Sequence, residues 1–149
     1  MMLRPFLHFY WRFARGLTLG VQGCVLDGEG RVLLVRHGYV AGWHFPGGGV
    51  ETGETLRDAL ARELVEESGV KLRGVPVLHG IFQNIAATRR DHIALYVVRD
   101  FEWSGPPAPT YEIREANFFP TAALPDDIGA PTRRRLDEIL KRAAPAETW

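Results

Sequence analysis

Three glutamates, Glu63, Glu66 and Glu67, stand three and four residues apart in a stretch whose leucines repeat as on one face of a helix. On a wheel of 100° per residue with Leu56 at zero, Leu60 falls at about 40° and Leu64 at about 80°. Glu67 then falls at about 20° and Glu63 at about 340°, overlapping the apolar arc, with Glu66 at its edge. A solvated charged face would lie opposite the leucines; this one does not. Like charges at these spacings repel, and they crowd a helix C-terminus, where the macrodipole disfavours them by roughly 0.3–1 kcal/mol each. Arg62 compensates in part, reaching toward Asp58 and Glu66 four residues to either side. An oxygen-only donor set suits a hard divalent cation, Mg²⁺ or Mn²⁺, rather than zinc. Local rules are broken in this way where a site needs them broken.

Upstream, Gly47, Gly48 and Gly49 let the backbone approach a ligand with no Cβ in the way. A carbonyl there suits a metal, and free N–H groups suit phosphate oxygens. The positioning elements read as follows. Residues 55–68 form a helix closed by Gly69. Strands cover 17–26 and 31–36, joined as a hairpin through Asp27-Gly28-Glu29-Gly30. Residues 42–49 are loop. Further strands cover 75–84, 92–98 and, more weakly, 113–119; residues 104–109, with three prolines, are irregular. A second helix covers 132–142, and 143–149 is a frayed tail.

At 149 residues the chain suits one domain over 17–142, preceded by an aromatic arm or helix over 1–16. Eighteen basic and eighteen acidic residues give a formal net charge of zero, which argues against stable, bulk nucleic-acid binding. The single cysteine, Cys24, fits a reducing compartment, so a cytoplasmic location is expected. No run of about 18 apolar residues exists to span a membrane. The arm, with Phe6, Phe9, Tyr10 and Phe13 on one helical face, suits packing on its own domain or across a homodimer interface.

Gly48, Glu54 and the run Arg62-Glu63-Leu64-Val65-Glu66-Glu67-Ser68-Gly69-Val70 together resemble the Nudix box, G-x5-E-x7-R-E-U-x-E-E-x-G-U, at every fixed position. The resemblance implies an α/β fold, an α/β/α sandwich with a mixed β-sheet, and hydrolysis of a nucleoside diphosphate linked to another moiety. It places Glu63, Glu66, Glu67 and the Gly48 carbonyl on the metal, with Glu54 and Arg62 in support. Glu63 is one candidate for the general base, and Glu112 matches a fourth, distal glutamate, with Glu115 as its alternative. Arg36 matches a phosphate-contacting position of MutT-type members. Phe45, Gly47 and Gly49 are further substrate-binding candidates, with Trp43 and Phe82 as other aromatics able to stack a base.

Ile85 stands where ADP-ribose-type members carry proline, and no tyrosine stands near Ala86 or Ala87. These absences tilt the expected substrate toward a nucleoside triphosphate or nucleotide-sugar. The alternatives are a Nudix-fold nucleotide-binding domain without turnover, or an RNA 5′-end pyrophosphohydrolase.

Overall fold

The computed structural model describes Tyr10 and residues 14–149. Among these, the chain runs β1 (Thr18–Val25), β2 (Arg31–His37), β3 (Gly47–Gly49), α1 (Leu56–Ser68), β4 (Val70–Leu72), β5 (Val77–Gln83), β6 (Asp91–Val98), β7 (Phe101–Trp103), β8 (Ile113–Pro120) and α2 (Ala130–Lys141). One sheet has the order β3-β1-β6-β5. It is mixed: β1 and β6 run parallel, whereas β3 and β5 pair antiparallel to their neighbours. Separately, β2 pairs with β8 and β4 with β7.

Alternation along β1 sends Val21 and Val25 to one face and Cys24 to the other. The first face packs on Leu60 and Leu64 of α1. The second joins Leu34, Phe45, Phe82 and Leu95 to Leu136 of α2. Helix, sheet and helix therefore stack as expected from the α/β/α reading. A side chain at Gly23 would meet Leu64 at 3.1 Å and Leu60 at 3.2 Å, so the bare backbone there lets α1 press on β1.

Helix α1 is fixed at both ends by its own sequence. Thr55 caps it reciprocally with Asp58, and Gly69 closes it at φ 75°. Asp58 is thereby spent on the cap, so of the two partners expected for Arg62 from spacing only Glu66 is met, at 3.5 Å.

The strand reading needs three corrections. Residues 17–26 and 31–36 share one bridge, Leu26↔Val32, and then diverge into different sheets. Asp27 and Gly30 do make the turn, with Asp27 Oδ1 accepting from the N–H groups of Glu29 and Arg31. Residues 47–49, read as loop, pair with β1. The tail is docked rather than frayed: Gln83 exchanges backbone bonds with Glu147 and Trp149, and the Trp149 ring meets Phe82 edge-on at 5.6 Å. Arg134 and Arg135 hold the carbonyls of Trp149 and Thr148. The arm expected over 1–16 falls largely outside the described residues; within it, Tyr10 is exposed. No helix among the described residues is long and apolar enough to cross a membrane.

Candidate active site

Glu67 sits where the wheel places it. It is only 8% exposed, near the C-terminal end of α1. Its Oε2 accepts the Gly47 N–H at 2.8 Å, and its Oε1 lies 3.1 Å from His37 Nε2. The glycine loop and the end of β2 are thus pinned to one carboxylate. Gly47 can serve this way only without a side chain: its φ is 154°, and a Cβ would stand 2.0 Å from the Val21 carbonyl oxygen. A Cβ on Gly48 would fall 2.4 Å from Glu63 Oε1, so Glu63 occupies the space beneath that backbone.

Arg62 organises the remaining charges. Its Nε and Nη2 donate to the two oxygens of Glu54 at 2.8 and 2.9 Å, and Nη2 also donates to the Gly49 carbonyl. Nη1 donates to Glu63 Oε1 at 2.7 Å and lies 3.5 Å from Glu66. The fork ties the loop to the helix in a planar arrangement that a lysine would not reproduce. Glu54 also accepts the Glu51 N–H.

These contacts split the carboxylates electrostatically. The Arg62 bonds, with the Glu51 N–H, hold the Glu54 carboxyl down to about 2. Glu63 is shifted upward, first by burial and further by the charges of Glu67 and Glu66, against the pull of Arg62. A depressed carboxyl contributes stability above its unfolded pKa and loses it as pH falls toward the folded one. The excess stability of the wild type over Glu54→Gln is therefore expected in full at pH 7 and to shrink progressively below about 4.5. Denaturant unfolding of both proteins across that range checks the sign; a pH-independent gap would reject it.

The other expected site residues divide into two groups. Glu112 is exposed, and its backbone carbonyl accepts the Gly38 N–H at 2.7 Å. The Tyr39 phenol is pushed upward by desolvation and by the charges of Glu67, Glu112 and Glu63, which places Glu112 in the same field. Glu115 instead faces Arg36 at 3.9 Å. Arg36 stands at the end of β2, held by Asp127 at 2.9 Å over the Trp43 ring, and its Nε is buried without a hydrogen-bond partner.

Phe45 is 1% exposed in the core behind the loop, as are Trp43 and Phe82 with little or no exposure. None of them offers a ring face to a base, because the apolar layer under α2 has claimed them. The Gly47 N–H is spent on Glu67 and the Gly49 carbonyl on Arg62, so both glycines build the site through their backbones. His37, which carries no motif in the sequence, is a partner of Glu67. Only its place directly after Arg36 at a strand end hinted at this.

The donor set suits a divalent cation: oxygen ligands, negative charge in excess, one carboxylate desolvated and space made for it by Gly48. As they stand, no three His, Cys, Asp or Glu side chains among the described residues converge on one metal position. Arg62 and His37 hold the carboxylates apart by occupying an oxygen of each.

A NUDIX domain model matches residues 16–139. The chain belongs to the Nudix family, whose hydrolases generally use divalent cations. It is similar to an oxidized purine nucleoside triphosphate hydrolase of Danio rerio, 40% identical over 92 residues that cover 57% of this chain and 56% of that protein. It is also similar to an RNA pyrophosphohydrolase of Sodalis glossinidius, 42% identical over 61 residues, 41% of this chain and 34% of that protein. The chain thus spans about a third to a little over half of these relatives. Among solved structures, a MutT Nudix hydrolase from Burkholderia pseudomallei superposes with a TM-score of 0.71 at 22% identity, over 82% of this chain and 97% of that one. The fold is shared along nearly the whole length of that neighbour.

Proposed function

We propose that this chain hydrolyses a pyrophosphate bond in a nucleoside diphosphate linked to another moiety, with Mg²⁺ as cofactor and Mn²⁺ able to replace it. A nucleoside triphosphate or nucleotide-sugar is the favoured substrate. The observation that carries the proposal is the clustering of nearly buried Glu67 and desolvated Glu63 at one helix end, pinned beneath Gly47 and Gly48. Packing alone gives no reason to gather so much negative charge there.

Glu63, Glu66, Glu67 and the Gly48 carbonyl would hold the cation, which when bound screens the phosphates, polarises a phosphoryl oxygen and acidifies a water. The chain's own groups do the rest. Glu63 Oε1 is engaged by Arg62, so Oε2 is the oxygen placed to accept the proton of the attacking water. Burial raises the proton affinity of that carboxylate, which suits a base. Arg62 and Glu54 keep the loop and helix in register. Arg36 would exchange Asp127 for a phosphate of the substrate, and Glu112 would serve as the fourth, distal glutamate. Water adds to phosphorus, the bridging P–O bond breaks, and the phosphate-bearing fragment leaves.

Purified protein should be tested against nucleoside triphosphates, nucleotide-sugars, dinucleoside polyphosphates and 5′-triphosphorylated RNA, with products identified by mass. Turnover in Mg²⁺ that EDTA abolishes is the expected outcome. Nucleotide binding without turnover in either metal would replace this reading with that of a non-catalytic binding domain.

A further inference from the structure

The glycine loop borders a second feature. A groove of about 260 Å³ lies against β1, β3 and the start of β6, and Gly20, Gln22, Gly47, Gly49, Asp91 and Ile93 contribute to its walls. Gly20 and Gln22 are on the sheet face opposite Val21, which packs toward α1. Gly20 pairs directly with Gly49 across the strands, so neither offers a side chain there. A Cβ on Gly20 would meet the Gly48 carbonyl at 3.3 Å and Ile93 at 3.9 Å. The floor is therefore flat backbone bordered by an aliphatic side chain, a surface suited to a planar ring.

The polar groups of this groove are unequal in one respect. Asp91 is fully engaged, accepting from Thr18 Oγ1 at 2.7 Å and from Asn84 Nδ2 at 2.9 Å. Gln22 is not: its Oε1 is buried and has no hydrogen-bond partner. Native proteins rarely leave a buried amide oxygen in that condition. A strand facing an apolar layer would be served at this position by leucine or methionine. Rotation about χ3 exchanges the ends of the amide, so the side chain can present an acceptor beside a donor. That pair complements an amino group next to a ring nitrogen, the edge by which glutamine reads adenine.

We propose that Gln22 is a specificity-determining residue that reads the edge of an amino-bearing purine lying flat over Gly20, Gly49 and Ile93. The inference rests on the nucleotide-hydrolase reading, since the groove shares Gly47, Gly48 and Gly49 with the carboxylate cluster. It selects adenine nucleotides within that substrate class. Gln22 makes no contact with the reacting phosphorus, so its effect falls on base discrimination and leaves the metal requirement untouched.

The test compares wild type and Gln22→Leu on ATP and on purine riboside 5′-triphosphate, which lacks only the 6-amino group. In the wild type, kcat/KM for ATP should exceed that for the analogue by about tenfold or more. In Gln22→Leu the two values should converge, mainly through loss on ATP. The variant should melt no lower than wild type, because an unpartnered buried carbonyl has been replaced by hydrocarbon. If neither triphosphate is turned over by wild type, the broader panel above decides the hydrolase reading separately. Equilibrium binding of the same two nucleotides in EDTA then decides the present inference. Equal discrimination by wild type and variant, in turnover or in binding, overturns the role of Gln22, as does a wild type that ignores the amino group.

Discussion

Replacing Glu67 by Gln should lower nucleotide turnover by about 10²–10⁴-fold while leaving the fold intact. The amide can keep both contacts of the carboxylate: its oxygen still accepts the Gly47 N–H, and its nitrogen still reaches His37. What it cannot keep is the charge. If Glu67 were only a cap joining loop to helix, the isosteric amide would do the same work and activity would survive. Two measurements separate the cases. The melting temperature should stay within a few degrees of wild type, and the rise in melting temperature that Mg²⁺ gives the wild type by mass action should disappear. Retained turnover in a folded variant would remove Glu67 from the chemistry.

The second large effect is on stability. Gly47→Ala should destabilise the protein by about 2–3 kcal/mol, near the upper end for a single substitution. The new methyl would stand 2.0 Å from the Val21 carbonyl oxygen and 2.7 Å from the Gln22 Cα, both backbone atoms of β1. Neither can yield without opening the β1–β3 pairing. For a domain of this size the melting temperature should fall by roughly 4–12 °C. Gly49→Ala is the control, since nothing lies within 4 Å of its Cβ position. Equal melting of the two variants would show that the close approach at Gly47 does not constrain the fold.

How much of this could be read from the chain differs element by element, for physical reasons. Helix α1 was legible because its leucine period, its capping threonine and Gly69 agree with one another. The inward angle of Glu67 followed from the same wheel, and 8% exposure matches it. Strand β3 was not legible, since three glycines carry no alternation to read. Strands β4 and β7 have three residues each, too few for a period, and are held by pairing to one another. Nor could the parting of β1 from β2 be seen, because a turn signal does not say how far a ladder extends. The tail has no periodicity to read, and what holds it, Gln83 and the side chains of Arg134 and Arg135, lies elsewhere in the sequence. Phe45 misled in the opposite direction: an aromatic beside a glycine loop suits a base, yet the layer beneath α2 took it. His37 carried no motif at all and was found only when the end of β2 met Glu67.

The position of Arg62 has a consequence for how the protein meets its cofactor. With a guanidinium seated on Glu63 and beside Glu66, the acidic cluster carries an internal counter-ion. A cation held as proposed would compete with that guanidinium for the charge of Glu63 and Glu66. The net affinity would be the difference between two favourable attractions, with the guanidinium kept close by its own bonds to Glu54.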